Sequence, residues 1–244
     1  FVLGADAPVL GKARLGVVGS YGRASFDTRA HGSSSTRDSY ELGIYGGADL
    51  GAAAVRVGVA QGWHQLGTTR LVAFPGLTDS LKGEQDARTT QVFGELAYRI
   101  QLAGTRVEPF ADFAHVRLRT DAITEKGGTA ALRLASADSG TSFTTLGLRA
   151  APSFSLGSSN LTLRAALAWR HAFGDETPLS MIQFASGGDS FRIAGTPIAR
   201  NAAALDAGID VALTPRASLG IAYGGQFGSG ASDQSVRASF SLRL

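Results

Sequence analysis

Eleven stretches of about ten residues alternate apolar and polar along the chain. Tyr40 to Leu50 shows the pattern clearly. Tyr40, Leu42, Ile44, Gly46, Ala48 and Leu50 fall on one face, and Glu41, Gly43, Tyr45, Gly47 and Asp49 fall on the other. Side chains of a strand point to opposite faces with period two, so the segment has one oily wall and one polar wall. Leu161 to Trp169, Ala203 to Leu213 and Val236 to Leu244 repeat it. Helical periodicity is nearly absent, and glycine inside the runs argues further against helix.

The gaps between the runs alternate in length. Pro8–Gly11, Gly51–Ala54, Ala103–Thr105, Gly157–Asn160 and Thr214–Arg216 are short. Asp27–Asp38, Gly67–Arg88, Thr120–Thr141 and Gly174–Arg200 are long and rich in Gly, Ser, Thr and charge, with Gly228–Ser232 the one short member of this set. Tight turns at one end and long loops at the other are the signature of a transmembrane antiparallel β-barrel. The sequence therefore predicts an all-β barrel over residues 1–244, with the long loops outside. Bacterial single-chain barrels have even strand counts, so eleven visible strands predict a twelfth upstream of Phe1.

The polar wall carries ionised residues at strand centres: Glu41, Asp49, Glu95, Arg99, Arg164, Arg170, Asp206 and Asp210, with Tyr45 beside them. Burying these unpaired in a dry core would be prohibitive, and a wet lumen removes most of that cost. They are expected to face the lumen. Gly16, Gly22, Gly43, Gly47, Gly208 and Gly220 share that face by parity, so lumen rings can lie over bare glycine backbone on a neighbouring strand. The outward aromatics Tyr21, Trp63, Trp169, Tyr223 and Phe227 sit towards the outer strand ends, as girdle residues do.

Composition narrows the chemistry. No run reaches the ~18 apolar residues of a membrane helix. Cysteine is absent, which suits a chain that crosses an oxidising compartment. The formal charge is +3, with bases scattered among acids, so no nucleic-acid footprint appears. His31, His64, His115 and His171 are far apart without metal-ligand spacing, no GxSxG elbow occurs, and the Gly-rich Gly224–Gly230 leads into a strand, where phosphate cradling needs a helix. Catalytic, cofactor and metal residues are expected to be none.

Several segments, taken in order, resemble the autotransporter β-domain, the translocator of type V secretion. Leu3-Gly4-Ala5-Asp6 and Leu15-Gly16-Val17-Val18-Gly19-Ser20-Tyr21-Gly22 resemble its second and third strands, and Tyr40-Glu41-Leu42-Gly43-Ile44-Tyr45-Gly46 its fourth. Val107-Glu108-Pro109-Phe110-Ala111-Asp112-Phe113-Ala114 resembles its "EP" strand. Gly147-Leu148-Arg149, Trp169-Arg170-His171-Ala172-Phe173, Ala207-Gly208-Ile209 and Leu219-Gly220-Ile221-Ala222-Tyr223 follow in order. The resemblance covers essentially the whole chain.

It implies a twelve-stranded barrel in the cell outer membrane, threaded by a lumen helix that lies upstream with the first strand. It implies a protein that anchors and conveys its own N-terminal passenger and is not itself an enzyme. The alternative is a stand-alone porin or adhesin barrel, whose pore the Gly174–Arg200 stretch could enter. Some relatives cut their passenger inside the barrel with lumen acids, but no motif singles out the acids here for that role. The implied partners are the passenger and helix, the barrel-assembly machinery, periplasmic chaperones and lipid. Val236, Phe240, Leu242 and Leu244 become the assembly signal, although the family usually ends in an aromatic where this chain has Leu244.

Overall fold

The structure is a computed structural model that describes residues 1–28, 32–156, 159–214 and 216–242. His31 and Leu244 of the expected features lie outside the described residues, as do parts of the turns at Gly157–Asn160 and Thr214–Arg216. Among the described residues seventeen strands follow one another. They are β1 (Val2–Leu10), β2 (Ala13–Thr28), β3 (Ser33–Leu50), β4 (Ala53–Phe74), β5 (Leu77–Tyr98), β6 (Ile100–Leu102), β7 (Thr105–Thr120), β8 (Ile123–Thr124), β9 (Leu132–Leu134), β10 (Ala137–Ala150), β11 (Ser153–Leu156), β12 (Ser159–Gly174), β13 (Leu179–Phe184), β14 (Phe191–Ala194), β15 (Asn201–Ala212), β16 (Ala217–Gly228) and β17 (Ala231–Leu242).

The main wall is one antiparallel sheet in the order β1-β2-β3-β4-β5-β7-β10-β12-β15-β16-β17. These are the eleven runs of the sequence, each paired with the next, so every connection is a hairpin-like return. Two runs break near the short-turn end. β6 pairs with β7 after Arg99, and β11 pairs with β12 after Pro152, whose missing N–H cannot serve the ladder. Among the described residues β1 and β17 each have a sheet neighbour on one side only.

The two faces differ as the alternation predicts. Leu42, Ile44, Leu96, Leu167, Ile221 and Phe240 share the outer face, each more than half exposed. The opposite face is concave, because side chains there reach across an intervening strand. The Tyr45 hydroxyl on β3 reaches Asp6 on β1 at 3.4 Å, and Arg149 on β10 reaches Glu95 on β5 at 2.7 Å. A sheet with large hydrophobics on its convex side and charge on its concave side is built for an apolar exterior medium.

Two of the long gaps depart from the sequence reading. Asp27–Asp38 is mostly ladder, since β2 and β3 remain paired out to Thr28↔Ser33. Gly67–Arg88 is a protruding hairpin whose β4–β5 ladder runs to Phe74↔Leu77 around Pro75-Gly76. Proline presets its own φ, and Gly76 supplies φ +91°, the combination a tight turn requires. The polar, β-branched composition of these segments suits two-sided exposure, and on sequence alone it reads as loop.

The Thr120–Thr141 and Gly174–Arg200 gaps come together. They form a second sheet in the order β14-β13-β9-β8, with Ile182↔Leu134 joining the two loops. This small sheet caps the β4–β5 hairpin. Lys126 exchanges both backbone hydrogen bonds with Lys82, and Ile123 lies against Gly83 on the concave side. Arg70 donates to both carboxylate oxygens of Glu125 at 3.1 and 2.6 Å, and the Leu132 N–H donates to the same carboxylate. Leu81, Ile123, Ala131 and Ile182 are buried here. The Gly174–Arg200 stretch, a candidate pore-entering loop under the porin alternative, pairs instead with the other loop in this cap.

Candidate functional site

The concave wall is the part of the molecule where chemistry-bearing side chains converge. Period two places Glu41, Tyr45 and Asp49 on one face of β3, with Glu95 on β5, Arg164 and Arg170 on β12, and Asp206 and Asp210 on β15. The register aligns these faces: Gly16↔Tyr45, Asp49↔Ala54, Arg56↔Glu95, Arg164↔Gly208 and Ala166↔Asp206.

Part of this set is knit into a chain of ion pairs. Asp49 accepts from Arg99 at 2.5 Å, and Arg99 faces Glu108 at 3.6 Å. Glu108 faces Arg149 at 3.5 Å, Arg149 grips Glu95 at 2.7 and 2.8 Å, and Glu95 pairs with Arg56 at 2.5 Å. Three acids and three arginines thus alternate across β3, β7, β10, β5 and β4. The Arg99 Nε and the Glu108 Oε1 are buried without a hydrogen bond, yet they are the two atoms that face each other at 3.6 Å. Coulomb attraction therefore covers atoms that geometry leaves unbonded.

The other predicted residues stand apart from this chain. Arg164 pairs with Asp210 at 2.6 Å, and Arg170 donates to Gln226 at 3.1 Å while its guanidinium lies 5.7 Å from the centre of the Phe143 ring. Among the described residues Glu41 accepts only from the Ser20 hydroxyl, at 3.3 Å. Asp206 makes no hydrogen bond or ion pair among the described residues and lines a cavity of about 290 Å³ with Arg106, Arg164 and Arg237. A larger cavity of about 500 Å³ lies against Asp6, Tyr45, Asp49, Arg56, Phe93 and Arg99.

Sequence reasoning missed Arg56, Glu108 and Arg149, half of the ion chain. Arg56 stands directly opposite the predicted inward Glu95, whereas Glu108 and Arg149 lie on strands where the sequence singled out no inward position. Three glycine–aromatic pairs also occur on this wall. Tyr45 covers Gly16, Phe93 covers Gly58 and Phe110 covers Gly147, each ring lying where a Cβ would be. The sequence put Gly16 and Tyr45 on the same inward face and did not single out the other two pairs.

The described histidines lie in separate places. His64 lies between the Ser39 and Thr89 hydroxyls, both at 3.0 Å, while His115 meets Ser142 and His171 meets Asn201. Among the described residues no group of three or more His, Cys, Asp or Glu could hold a metal ion. On the convex face Tyr21 and Tyr40 are in contact with centroids 5.1 Å apart, and Trp169, His171 and Phe173 form a second aromatic run on β12. Within β17, Val236 and Phe240 lie on the convex face opposite Tyr223 and Leu219, and Leu242 stands opposite Ala217.

Comparison with known proteins gives the same reading. The autotransporter β-domain family model matches residues 1–224. Two proteins of Serratia marcescens named extracellular serine protease are 36% and 34% identical across the whole chain. The match is 23% of each relative's length, so the chain spans about a quarter of these proteins. In fold, the chain is similar over its full length to the translocator domain of autotransporter NalP from Neisseria meningitidis, with a TM-score of 0.77 at 15% identity and 79% of that domain covered. The β-domain of the Bordetella autotransporter BrkA is similar with a TM-score of 0.63 at 18% identity, 89% of it covered. The transport unit of AIDA-I from Escherichia coli gives 0.62 at 16%, with 81% covered. A charged concave wall, an apolar convex wall and a family match across nearly all the chain lead to one conclusion: the chain belongs to the autotransporter β-domain family, the outer-membrane translocator barrels of type V secretion in Gram-negative bacteria.

Proposed function

We propose that this barrel anchors a longer protein in the outer membrane and conveys that protein's own N-terminal passenger to the cell surface. One observation carries the reading: the match to the two Serratia relatives takes in all of this chain and only 23% of theirs. The protease in their names belongs to those proteins as wholes, and the aligned part is the translocator. The concave ion pairs then serve as a wet, charge-balanced wall past which an extended chain can move. No single carboxylate need act in chemistry.

The edges of β1 and β17 that have no sheet neighbour among the described residues support a further part of the proposal. An unpaired strand edge cannot face lipid, because each open backbone group costs several kcal/mol. One upstream strand between β1 and β17 would complete twelve, and an upstream helix would fill the lumen. Val236, Phe240, Leu242 and Leu244 on the last strand would be read by the barrel-assembly machinery through edge pairing, with periplasmic chaperones holding the chain until then.

These 244 residues have no cysteine, so in a full-length background with any other cysteine replaced, single cysteines can report topology. In intact cells expressing the full-length protein, Asp189→Cys on the cap should react with a membrane-impermeant maleimide. Ala52→Cys in the β3–β4 turn should react only after lysis. Labelling of Ala52→Cys from outside would reject the orientation. The isolated 244 residues should give no closed, heat-modifiable barrel, and adding the upstream strand and helix should give one with narrow conductance.

A further inference from the structure

On the convex face, level with the girdle residue Trp63 at the long-loop end, three arginines stand together. The register runs Trp63↔Arg88↔Arg119↔Asp138, and Arg117 lies two residues nearer the membrane on the same face as Arg119. All three arginines are exposed. With Trp63, Thr90 and Asp121 they line a shallow cavity of about 260 Å³ that opens outward.

The charges there are layered. Arg117 and Arg119 share the single carboxylate of Asp138, at 2.5 and 3.1 Å. Arg88 makes no ion pair or hydrogen bond among the described residues. Asp86, Glu84 and Asp121, further acids of this face, lie a step or more farther from the membrane, where the Asp121 N–H donates to the Asp86 carbonyl. Cationic groups are thus nearest the bilayer and anionic groups beyond them. Elsewhere on the convex face the comparable Arg23 is matched by Asp38 at 3.8 Å.

A surplus of guanidinium at this depth, beside a ring of the interfacial belt, fits one kind of ligand. Arginine forks match phosphate oxygens, and basic residues at a membrane surface recognise anionic headgroups. We propose that Arg88, Arg117 and Arg119 form a binding site for the phosphate group of an outer-leaflet glycolipid, with Trp63 packing against the lipid at the interface. The proposal rests on the outer-membrane placement with the long-loop end outward. Asp138 holds Arg117 and Arg119 side by side, and Arg88 supplies the cation with no partner of its own.

The test uses the full-length protein in neutral detergent micelles, with bound lipid counted by native mass spectrometry. Bisphosphorylated lipid A is titrated in one arm, its enzymatically dephosphorylated form in a second, and inorganic phosphate is added as competitor in a third. The phosphorylated form should bind more tightly, and millimolar phosphate should not displace it. Arg88→Gln breaks no bond of the folded chain and should weaken binding about fivefold, and the triple Arg→Gln variant about a hundredfold. Arg133→Gln with Arg192→Gln on the cap should change nothing. Heat-modifiability on cold gels, measured on every variant, reports the barrel separately. Equal binding of the two lipid forms, or Arg88→Gln binding like the unaltered protein in a folded barrel, overturns the site. Displacement by free phosphate overturns the lipid as its ligand. Loss of heat-modifiability in the unaltered protein would count against the barrel itself.

Discussion

Tyr45 covers Gly16, its direct partner across β2 and β3, and donates its hydroxyl towards Asp6 one strand further on. One ring thus spans three strands. The bare Cα below it is a steric requirement, since a Cβ there would occupy the place of the ring and also come within 2.8 Å of the Asp6 Cβ. Gly16→Val should therefore destabilise the barrel by about 1–3 kcal/mol through overpacking. Gly22→Ala, on the same face with open space around it, should be nearly neutral. Urea unfolding in lipid vesicles compares the two, and equal effects would remove the packing argument.

The two faces should respond differently to charge. Leu167→Arg, in the middle of the convex wall, should cost about 2–4 kcal/mol near the bilayer midplane. Ala166→Gln, its neighbour on the concave wall, should cost much less. The same vesicle assay reads both, and similar losses on the two faces would undo the assignment of inside and outside.

The ion chain should show coupling. Arg149 and Glu95 are mostly shielded, with side-chain exposures of 29% and 18%. Their worth should lie between that of an exposed pair and a buried one, so Arg149→Gln should cost about 1–3 kcal/mol. In a double-mutant cycle with Glu95→Gln the losses should not add. Additive losses would mean that the pair is geometric only.

Acid sensitivity should appear at the rim. The hydrogen bond from Arg117, helped by Arg119, holds the Asp138 carboxyl down to about 2, from an ordinary value of 3.8. A carboxyl lowered on folding stabilises above its unfolded value and loses that contribution as pH falls through the folded one. Between pH 4 and pH 2 the unfolding midpoint of the unaltered protein should therefore fall further than that of Asp138→Asn. Parallel curves would show that the pair adds nothing to stability. Nearly half of each side chain is in solvent, so high salt should shrink the difference.

The cap should be separable from the barrel. Arg70→Met removes the guanidinium that grips Glu125 and the Ala130 carbonyl. Trypsin should then cut faster at Lys126, Arg133 and Arg192, while the barrel stays heat-modifiable. An unchanged cleavage rate would place the docking energy in Ile123 and Gly83 instead.

Much of this architecture is legible in the chain because period two is a strong signal where one wall is oily. Leu42, Ile44, Leu167 and Ile209 identify the convex face without help. The protruding hairpin at Gly67–Arg88 is illegible for the same reason: outside the bilayer neither face must be apolar, so Thr68, Thr69 and Arg70 carry no alternation. The site was half legible. Glu95 and Arg99 stand out as charges within apolar strands, whereas Glu108 and Arg149 sit near strand ends, where charge is ordinary. Their partnership depends on register across three strands, which no local pattern encodes. The cap was beyond reach, because Ile182↔Leu134 joins two loops through a contact that neither loop announces.

That joint has a consequence for immune recognition. Strands β9 and β13 come from different loops, yet they lie side by side in the cap. With the long-loop end outward, as proposed, an antibody raised on whole cells against this face would bind a composite epitope. It would fail against synthetic peptides of either loop and against the boiled protein on a blot. Because the two loops pair with each other, sequence drift in one would alter the antigenic surface of both.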